Sequence, residues 1–469
     1  MILCLWRIDS PSYWADEGVS VSIASRPLAD LPTVLRHMDL VHGLYYVLLH
    51  FVASLAGTGE IAMRLPSAVA TAAATAGLAA LGRRTASPAT GLFAGLIYAL
   101  LPVVSRYAQE ARQYALVTAL VIGATYLLVV VIEDDRDRLR LRPWAAYTIM
   151  LTIAAWLHLY ALFILPAHAV MLLCRRPRGP WTHWTVSVTV ACVLTAPLAL
   201  AARTQFGLVS WIPRPSPATV RHLGWLVFGG NPAVILTIMA LAVLGVCAPI
   251  RPRLRTVALP WLVVPGGLMI TVSLVIQPIF YPRYVLHCVA ALALAGGAGM
   301  ARIGIWAARR TPAGTHLIPA ALLAVLAGLV GPAQVAVREP LSRPDNLRDL
   351  AHTLRDEARP GDAVLYVPAG NWMSVLPYPD SVAQLDTWSL HADRFFGDLP
   401  ADRFHHAATG LSRIWLVEGA KSYGNAVELQ NDGRFRRTAH WSFGTRQLSL
   451  YERNDAGRQT HADTGKQEP

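Results

Sequence analysis

Long apolar runs alternate with short polar loops along the chain as far as Arg338. Most runs are close to the roughly 17 to 25 residues that carry an α-helix across a bilayer. They occupy residues 61–81, 88–104, 115–132, 144–158, 160–174, 184–202, 222–249, 257–277, 285–301 and 316–336. The pattern predicts a polytopic α-helical membrane protein with about ten or eleven transmembrane helices and with juxtamembrane helices on its outer face.

The first apolar stretch, Met1–Ile8, is too short to cross a bilayer. It also lacks the basic start and the small-residue cleavage site of a signal peptide. Either the start lies inside a longer first helix or the protein begins with a stub, and we favour the longer helix.

The composition changes after about Leu341 to that of a soluble domain. Its periodicity predicts one amphipathic helix and three strands, at Asn346–Ala358, Ala363–Val367, Arg413–Val417 and Gln447–Tyr451. We therefore expect a transmembrane domain over residues 1–338, a small α/β domain over 339–452 and a disordered tail over 453–469. The α/β domain is expected to cover a site or help bind an acceptor, or simply to act as a stabilising cap.

The charge pattern indicates a membrane protein and not a nucleic-acid-binding one. Of the 469 residues, 54% are hydrophobic and 15% charged, with a net charge of +12. The surplus of Lys and Arg lies in short loops after every second apolar run, where it sets membrane orientation. These loops are then cytoplasmic, and the protein is predicted to be a multi-pass protein of the plasma membrane. Because membrane orientation already explains the basic surplus, we do not expect nucleic acid as a partner.

The other loops, those between the basic ones, hold the polar residues that are candidates for catalysis and substrate binding. They contain an acidic pair at Asp16 and Glu17, the segment Tyr107–Tyr114, the turn around Arg283 and everything after Arg338. By the same charge rule these parts face outward. Any chemistry, and the C-terminal domain, are therefore expected on the extracytoplasmic face.

Asp16 and Glu17 are candidates for general base catalysis. A carboxylate at the membrane surface can accept the proton of an attacking hydroxyl. The simpler alternative is an acidic loop at the N-terminus of a helix, where negative charge is favoured. Adjacent residues rarely share one task, so one of the pair would act and the other would position it.

A second polar group precedes the apolar run Val47–Leu55. Asp39, His42, Tyr46 and His50 are spaced by three, four and four residues, which would stack them on one helix face. Such a face suits a helix that lines a polar cavity, with Asp39, His42 and Tyr45 as substrate-binding candidates. An aromatic belt at the lipid headgroups would explain the tyrosines but not Asp39 and His42.

Outward-facing arginines are candidates for binding a lipid phosphate, because guanidinium groups form forked, charge-assisted hydrogen bonds to such anions. The candidates are Arg64, Arg106, Arg112, Arg203, Arg214, Arg221 and Arg283. Many such arginines only extend to lipid headgroups. Arg106 has Glu110 at helical i+4 spacing as a partner, so Arg112 is the better candidate.

Aromatic and histidine side chains near these arginines complete the candidate site. Tyr107 and Tyr114 flank the Arg112 segment, Tyr284 follows Arg283, and His158 interrupts an apolar region. We interpret all four as substrate-binding candidates, although a buried histidine such as His158 could also be a hydrogen-bonded structural residue.

Metal and nucleotide chemistry have little support in the sequence. The five cysteines lie in or beside apolar runs without paired spacing, and no His, Cys, Asp and Glu cluster has metal-ligand spacing. A divalent metal is possible only if distant residues converge in space. Nucleotide-binding and phosphate-cradling glycine motifs are missing, which makes a soluble nucleotide sugar an unexpected donor.

Taken in order, these motifs resemble the lipid-linked-sugar glycosyltransferases of the GT-C class, family 39. This family includes protein mannosyltransferases and the lipid A aminoarabinose transferase. The resemblance covers roughly residues 13–301. It rests on the acidic pair, the His-Gly-Leu-Tyr-Tyr, Arg-Leu-Pro-Ser and Tyr-Ala-Gln-Glu-Ala-Arg-Gln-Tyr segments, and the late Pro-Arg-Tyr. Gly43 stands where relatives often have proline, and the truncated first helix is a second departure.

The resemblance implies an inverting transfer of sugar from a polyprenyl-phosphate donor. Asp16 would be the base, supported by Glu17, and Arg112 and Arg283, together with Arg64, would contact the donor phosphate. Mannose or an arabinose-like pentose is the expected sugar, and the acceptor is a protein, a glycolipid or a cell-wall glycan. A lipid or sugar transporter, such as a flippase, is the main alternative, and a membrane scaffold is a third hypothesis.

Overall fold

A computed structural model describes residues 1–133, 141–175, 180–209, 211–248, 250–311, 314–367, 377–378, 400–419, 421–422 and 424–454. The chain forms two compact units. The first comprises Met1–Ile8, Arg26–Gly57 and Ile61–Arg338, and the second comprises Asp9–Ser25, Thr58–Glu60 and Glu339–Pro469. Most of the predicted tail, residues 455–469, lies outside the described residues.

All secondary-structure elements among the described residues of the first unit are helices. Its helices are α1 Ile2–Leu5, α3 Leu31–His37, α4 Gly43–Ala56, α5 Glu60–Thr85 (whose first residue belongs to the second unit), α6 Pro88–Leu100, α7 Pro102–Ala108, α8 Tyr114–Glu133, α9 Leu141–Leu157, α10 Ile164–Arg175, α11 Trp181–Ala202, α12 Pro217–Phe228, α13 Pro232–Cys247, α14 Pro252–Val275, α15 Cys288–Ala308 and α16 Gly314–Ala336. The prediction of an α-helical protein with many long apolar helices is confirmed.

Fewer helices than the ten predicted runs could cross a membrane unbroken. Within the described ranges, six are long and apolar enough, or eight if each of two bent pairs is one span. The run 88–104 bends by 69° between α6 and α7, where Pro102 begins the second helix. The run 222–249 bends between α12 and α13, where Gly229 and Gly230 have positive φ. A hydropathy pattern records apolar length but not these changes of direction.

Small residues let α13 and α15 pack with their backbones in direct contact. A Cβ atom on Gly245 would lie 2.0 Å from the Ala295 carbonyl oxygen. One on Gly299 would lie 2.0 Å from the Leu241 carbonyl oxygen. Close approach through small residues is a common way for helices to associate within a membrane, where burial of apolar surface from water contributes little.

The second unit contains a four-stranded mixed sheet. Its strands, β1 Ala363–Val367, β2 Arg413–Glu418, β3 Phe435–Phe443 and β4 Arg446–Arg453, lie in the order β1-β2-β4-β3. β1 and β2 are parallel, and the other neighbours are antiparallel. Helices α2 Ala15–Ala24, α17 Leu347–Glu357, α18 Ala401–Ala407 and α19 Asn425–Asn431 also belong to this unit. Leu350 and Leu354 of α17 pack against one face of the sheet, and Phe404 and Leu429 pack against the other.

Three of these strands were predicted, and β3 was missed. β3 is an edge strand whose only buried residue is Phe435. Ala439, Trp441 and Phe443 alternate with polar residues and pack against the core, an alternation that the prediction overlooked.

Two early segments of the chain belong to the second unit through direct bonds to its later residues. Arg348 contacts the Glu60 carboxylate at 2.6 Å and the Asp9 carbonyl at 2.7 Å. The Tyr378 hydroxyl donates to Glu60 at 2.9 Å and accepts from the Tyr13 amide at 3.1 Å. These bonds attach the segment before Asp16 to the C-terminal part of the chain.

Candidate functional site

Asp39 occupies a backbone conformation that its neighbours hold in place. Its φ is +50° and its ψ +31°, the left-handed region that aspartate tolerates better than most residues. Gln205 supports this loop by accepting from the Leu40 amide at 3.0 Å and donating to the Leu35 carbonyl at 2.8 Å. The carboxylate is thereby presented next to the start of α4.

Asp39, His42, Tyr46 and Arg112 form one connected polar cluster in the first unit. The Tyr46 hydroxyl donates to Asp39 Oδ2 at 2.8 Å, and His42 Nδ1 lies 3.7 Å from Asp39 Oδ1. Arg112 reaches both partners, with Nη1 3.4 Å from the Tyr46 hydroxyl and Nη2 3.4 Å from His42 Nδ1. The carboxylate therefore contacts the histidine and the tyrosine directly, and these two residues connect it to the arginine.

The residues meet for a different reason from the one predicted. Asp39 and His42 do not lie on the helix of Tyr46, because α4 begins only at Gly43 and the chain turns at Asp39. The predicted helix face is therefore wrong, although three of its members converge. The fourth, His50, packs edge-on against Phe51, with ring centroids 5.7 Å apart.

Electrostatics keep the Asp39 carboxyl ionised. Burial favours its neutral form, but the hydrogen bond and charge of His42, the charge of Arg112 and the Tyr46 hydroxyl outweigh burial and lower the pKa of Asp39. A carboxylate that holds its proton so weakly is a poor general base. Its geometry suits it better to holding Arg112 and His42 in place.

Arg112 lies in a non-helical segment between α7 and α8 that is anchored on both sides. The Ser67 hydroxyl lies 2.7 Å from the Glu110 carbonyl and 3.1 Å from the Arg112 carbonyl. The Gln109 amide donates to the Cys4 carbonyl at 3.0 Å and to the Trp6 carbonyl at 2.8 Å. Sequence reasoning assigned no role to Ser67, although it ends the Arg-Leu-Pro-Ser segment that carried the resemblance.

Aromatic rings continue the cluster from His42 to Arg283. The His158 ring lies 6.0 Å from that of His42, 5.7 Å from that of Tyr114 and 4.7 Å from that of Tyr284. The Arg283 guanidinium carbon lies 5.4 Å from the Tyr114 ring centroid and 5.9 Å from that of Tyr284. The rings of His42, His158, Tyr114 and Tyr284 thus form a continuous aromatic wall. Arg112 contacts its His42 end, and Arg283 lies beside its Tyr114 and Tyr284 end.

Tyr281 and Tyr160 belong to this wall, and sequence reasoning did not select them. Arg283 lies 4.9 Å from the Tyr281 ring, and Tyr160 lies 5.3 Å from both Tyr284 and His158. Their adjacency to Arg283 and His158 in the sequence was the available signal.

An apolar cavity of about 480 Å³ adjoins the wall. Tyr107 lines the cavity and also packs on Tyr114, with ring centroids 5.7 Å apart. Pro282, the neighbour of Arg283, lines it as well, together with Phe228, Ile270 and Phe280. The first unit therefore presents cationic groups beside a space suited to hydrocarbon.

Asp16 and Glu17 belong to the second unit, in the first turn of helix α2 Ala15–Ala24. The amide of Ala15 donates to Asp345 Oδ2 at 3.0 Å, so a residue from the C-terminal part of the chain caps this helix. The Ser20 hydroxyl donates to the Asp16 carbonyl at 3.0 Å, and Glu17 is fully buried. The position at a helix N-terminus is one that favours negative charge.

Two other predicted residues are buried in the first unit. Arg64 lies within α5, and its Nη1 donates to the Ile8 carbonyl at 2.7 Å. Tyr45 is fully buried in α4. Neither is joined to the Arg112 cluster by the contacts described above, and their roles stay predictions. Among the residues that the structure describes, no group of three or more His, Cys, Asp and Glu could hold a metal ion.

Part of the chain matches a known protein family. Residues 44–200 match the family model described as dolichyl-phosphate-mannose-protein mannosyltransferase. No curated protein matches the chain.

Among solved structures, the chain is similar to ArnT of Cupriavidus metallidurans in its apo state, with a TM-score of 0.66 at 16% identity over 96% of both chains. The same protein bound to undecaprenyl phosphate gives 0.64 at 15% identity over 96% of both.

More distant structures share the fold. The oligosaccharyltransferase AglB of Archaeoglobus fulgidus, in complex with an inhibitory peptide and a dolichol-phosphate, gives a TM-score of 0.54 at 9% identity, over 97% of this chain and 71% of AglB. The mycobacterial arabinofuranosyltransferase AftD gives 0.52 at 16% identity, over 94% of this chain and 42% of AftD. The family model matched by residues 44–200 and these solved structures are all of glycosyltransferases, the enzyme class that the sequence predicted. The chain therefore has the fold of the GT-C glycosyltransferases, and residues 44–200 match their mannosyltransferase family.

Proposed function

We propose that the protein is an inverting glycosyltransferase that moves a sugar from a polyprenyl-phosphate donor to an acceptor on the extracytoplasmic face. The observation that carries this proposal is the position of Arg283 and its aromatic wall beside the apolar cavity. A polyprenyl phosphate is an anion attached to hydrocarbon, and it needs both features side by side. ArnT bound to undecaprenyl phosphate and AglB in complex with dolichol-phosphate support the choice of donor class.

Arg112 and Arg283 are the proposed phosphate ligands. Both guanidinium groups are largely buried, with 4% and 8% of their residue surfaces exposed. In such surroundings a charge-assisted hydrogen bond to phosphate is stronger than in water. Asp39 orients Arg112 through His42 and Tyr46, which fits its depressed pKa.

The proposed chemistry is a direct displacement at the anomeric carbon. The acceptor oxygen forms a bond to this carbon as the bond to the phosphate oxygen breaks, which inverts the anomeric configuration. Asp16 takes the proton of the acceptor hydroxyl, with Glu17 in support. The electron pair of the broken bond leaves with the polyprenyl phosphate, whose charge the arginines stabilise.

The sugar and the acceptor follow from resemblance. Mannose or an arabinose-like pentose is proposed as the sugar, since the family match is to mannosyltransferases and AftD is an arabinofuranosyltransferase. The acceptor is proposed to be a protein, a glycolipid or a cell-wall glycan. The outward position of the site rests on the distribution of Lys and Arg between the loops.

Membranes that contain the protein would be incubated with a panel of polyprenyl-phosphate sugars, and glycosylated products identified by mass. Asp16→Asn should lower turnover by about 10² to 10⁴ fold, the usual contribution of a general base. Asp9→Asn, which alters an exposed carboxylate in the same unit, should leave turnover unchanged. Full turnover of folded Asp16→Asn protein would remove Asp16 from the mechanism. Movement of the donor across the membrane without a new glycosidic bond would favour the flippase instead.

A further inference from the structure

A cluster of arginines surrounds one carboxylate at the far end of α8 from Arg112. Glu133 is the last residue of this 20-residue helix, which places it roughly 30 Å from the helix start. Its Oε1 lies 2.6 Å from Arg175 Nη2 and 3.8 Å from Arg253 Nη1, and its Oε2 lies 3.0 Å from Arg84 Nε. Three cations therefore share a single anion.

A cavity of about 370 Å³ opens beside these residues. Glu133, Arg175, Arg253 and a further cation, Arg255, line it. Counting Arg84, the described residues around Glu133 contribute four positive charges and one negative charge. The N-terminus of α14, which begins at Pro252 in the cavity wall, adds a partial positive charge. The described lining of the cavity therefore carries a net positive charge.

Arg175 is the cavity residue whose buried side chain indicates a bound anion. Only 7% of its side chain is exposed. Its Nη2 donates to Glu133, but among the described residues its buried Nη1 has no hydrogen-bond partner. A buried guanidinium donor without an acceptor is costly, and an anion in the adjoining cavity would remove that cost.

We propose that this cavity binds a phosphate-ester anion, supplied by the headgroup of an anionic phospholipid. The cavity lies where the spanning helices α5, α8 and α14 end or begin near Arg84, Glu133 and Arg253, which is the depth of lipid headgroups. Guanidinium groups match phosphate in charge and geometry. The site is separate from the proposed donor site, since α8 carries the two at its opposite ends.

The competing explanation is that these arginines only set membrane orientation. Orientation requires basic residues in the loop but not a buried side chain beside a cavity. Arg309 and Arg310, exposed at the end of α15, are suited to that simpler role. They provide a matched control with the same loss of charge.

The test uses the full-length protein in detergent, with bound lipid counted by native mass spectrometry during titration with phosphatidylglycerol. Phosphatidylcholine and inorganic phosphate are titrated in parallel. The wild type and the Arg309→Gln/Arg310→Gln variant should bind phosphatidylglycerol saturably. Arg253→Gln/Arg255→Gln, which removes two exposed charges from the cavity wall, should bind it at least about ten-fold more weakly.

Two results would overturn the proposal. Equal phosphatidylglycerol affinity in the wild type and in Arg253→Gln/Arg255→Gln would show that the cavity is not the site. Inorganic phosphate that competes at the same concentration as phosphatidylglycerol would assign the cavity to a free anion and not to a lipid. Thermal unfolding of each variant without lipid checks that the fold is retained.

Discussion

Arg112 Nη2 lies 3.4 Å from Nδ1 of His42, across 70 positions of sequence. This contact joins the segment between α7 and α8 to the loop that precedes α4. It makes the position of the guanidinium depend on a histidine and, through it, on Asp39. The arginine proposed to hold the donor phosphate is thereby oriented before any donor binds, which reduces the entropy lost on binding.

Replacing Arg112 by lysine should lower transfer even though the positive charge is kept. Lysine cannot form the forked pair of hydrogen bonds, and it would not span both His42 and Tyr46. We expect kcat/KM for the donor to fall by about 10² fold, in the range seen when a group that stabilises developing charge is removed. Steady-state kinetics with varied donor and fixed acceptor measure this fall. Arg309→Lys, at an exposed position, is the control, and a change confined to acceptor KM would contradict the assignment.

The Asp39 carboxylate should make the protein sensitive to acid in a specific window. Its pKa is lower in the folded protein than the ordinary value of about 3.9. Its contribution to stability is therefore complete above about pH 4 and is lost as the pH falls below that value. The difference in Tm between wild type and Asp39→Asn should shrink as the pH falls below about 4, where the carboxylate is protonated. Thermal scans from about pH 5 to pH 2 measure it, and a difference that does not change over this range would contradict the pKa direction.

Removal of the Ser67 hydroxyl should impair donor use more than it impairs folding. The hydroxyl bonds the backbone on both sides of Arg112, at the Glu110 and Arg112 carbonyls. Ser67→Ala should cost about 0.5 to 1.5 kcal/mol of stability and raise the KM for the donor. Thr71→Ala is a matched control, because among the described residues that buried hydroxyl, one turn later, bonds the carbonyl of Ser67 in its own helix and not the Arg112 segment. Equal kinetics in both variants would show that Ser67 is merely structural.

Asp345 should influence catalysis through the helix that carries Asp16. It caps the Ala15 amide and accepts a hydrogen bond from Thr445. Asp345→Ala removes the cap, which costs about 0.5 to 2 kcal/mol. We expect kcat to fall at temperatures well below unfolding, while Asp356→Ala, which alters an exposed ion pair of the same unit, has no effect. An Asp345→Ala protein with a lower Tm and an unchanged kcat would contradict this positioning role.

Glycine-to-alanine substitutions should lower the stability of the protein where the glycine lies in a tight helix contact, and not where it faces open space. Gly299→Ala places a methyl group against the Leu241 carbonyl oxygen, so α13 and α15 must move apart. Gly328 in α16 has open space around it, and alanine there should be neutral or stabilising by about 0.5 to 1 kcal/mol. Unfolding temperatures in one detergent compare the two variants. A Gly299→Ala protein as stable as the wild type would disprove the tight packing.

The sequence alone determined which residue types this protein uses and where along the chain they occur. Apolar runs predicted a polytopic helical protein, and the amphipathic helix at α17 and the strand at β1 were predicted because periodicity is a local property. The motif order around Arg112 and Arg283 was sufficient to identify the family resemblance. The alternation of Ala439, Trp441 and Phe443 in β3 is a local pattern too, but the prediction overlooked it.

Only the tertiary structure decided which of these residues meet. Asp39 and His42 converge because the chain turns left-handed at Asp39 and not because they share a helix. Arg283 reaches the ring of Tyr114 across 169 positions of sequence, which no local pattern encodes. Burial, pKa and cavity shape depend on such distant contacts. For that reason Arg175 is, in the sequence, one of the basic residues that follow an apolar run, whereas its buried position beside a cavity is a property of the fold.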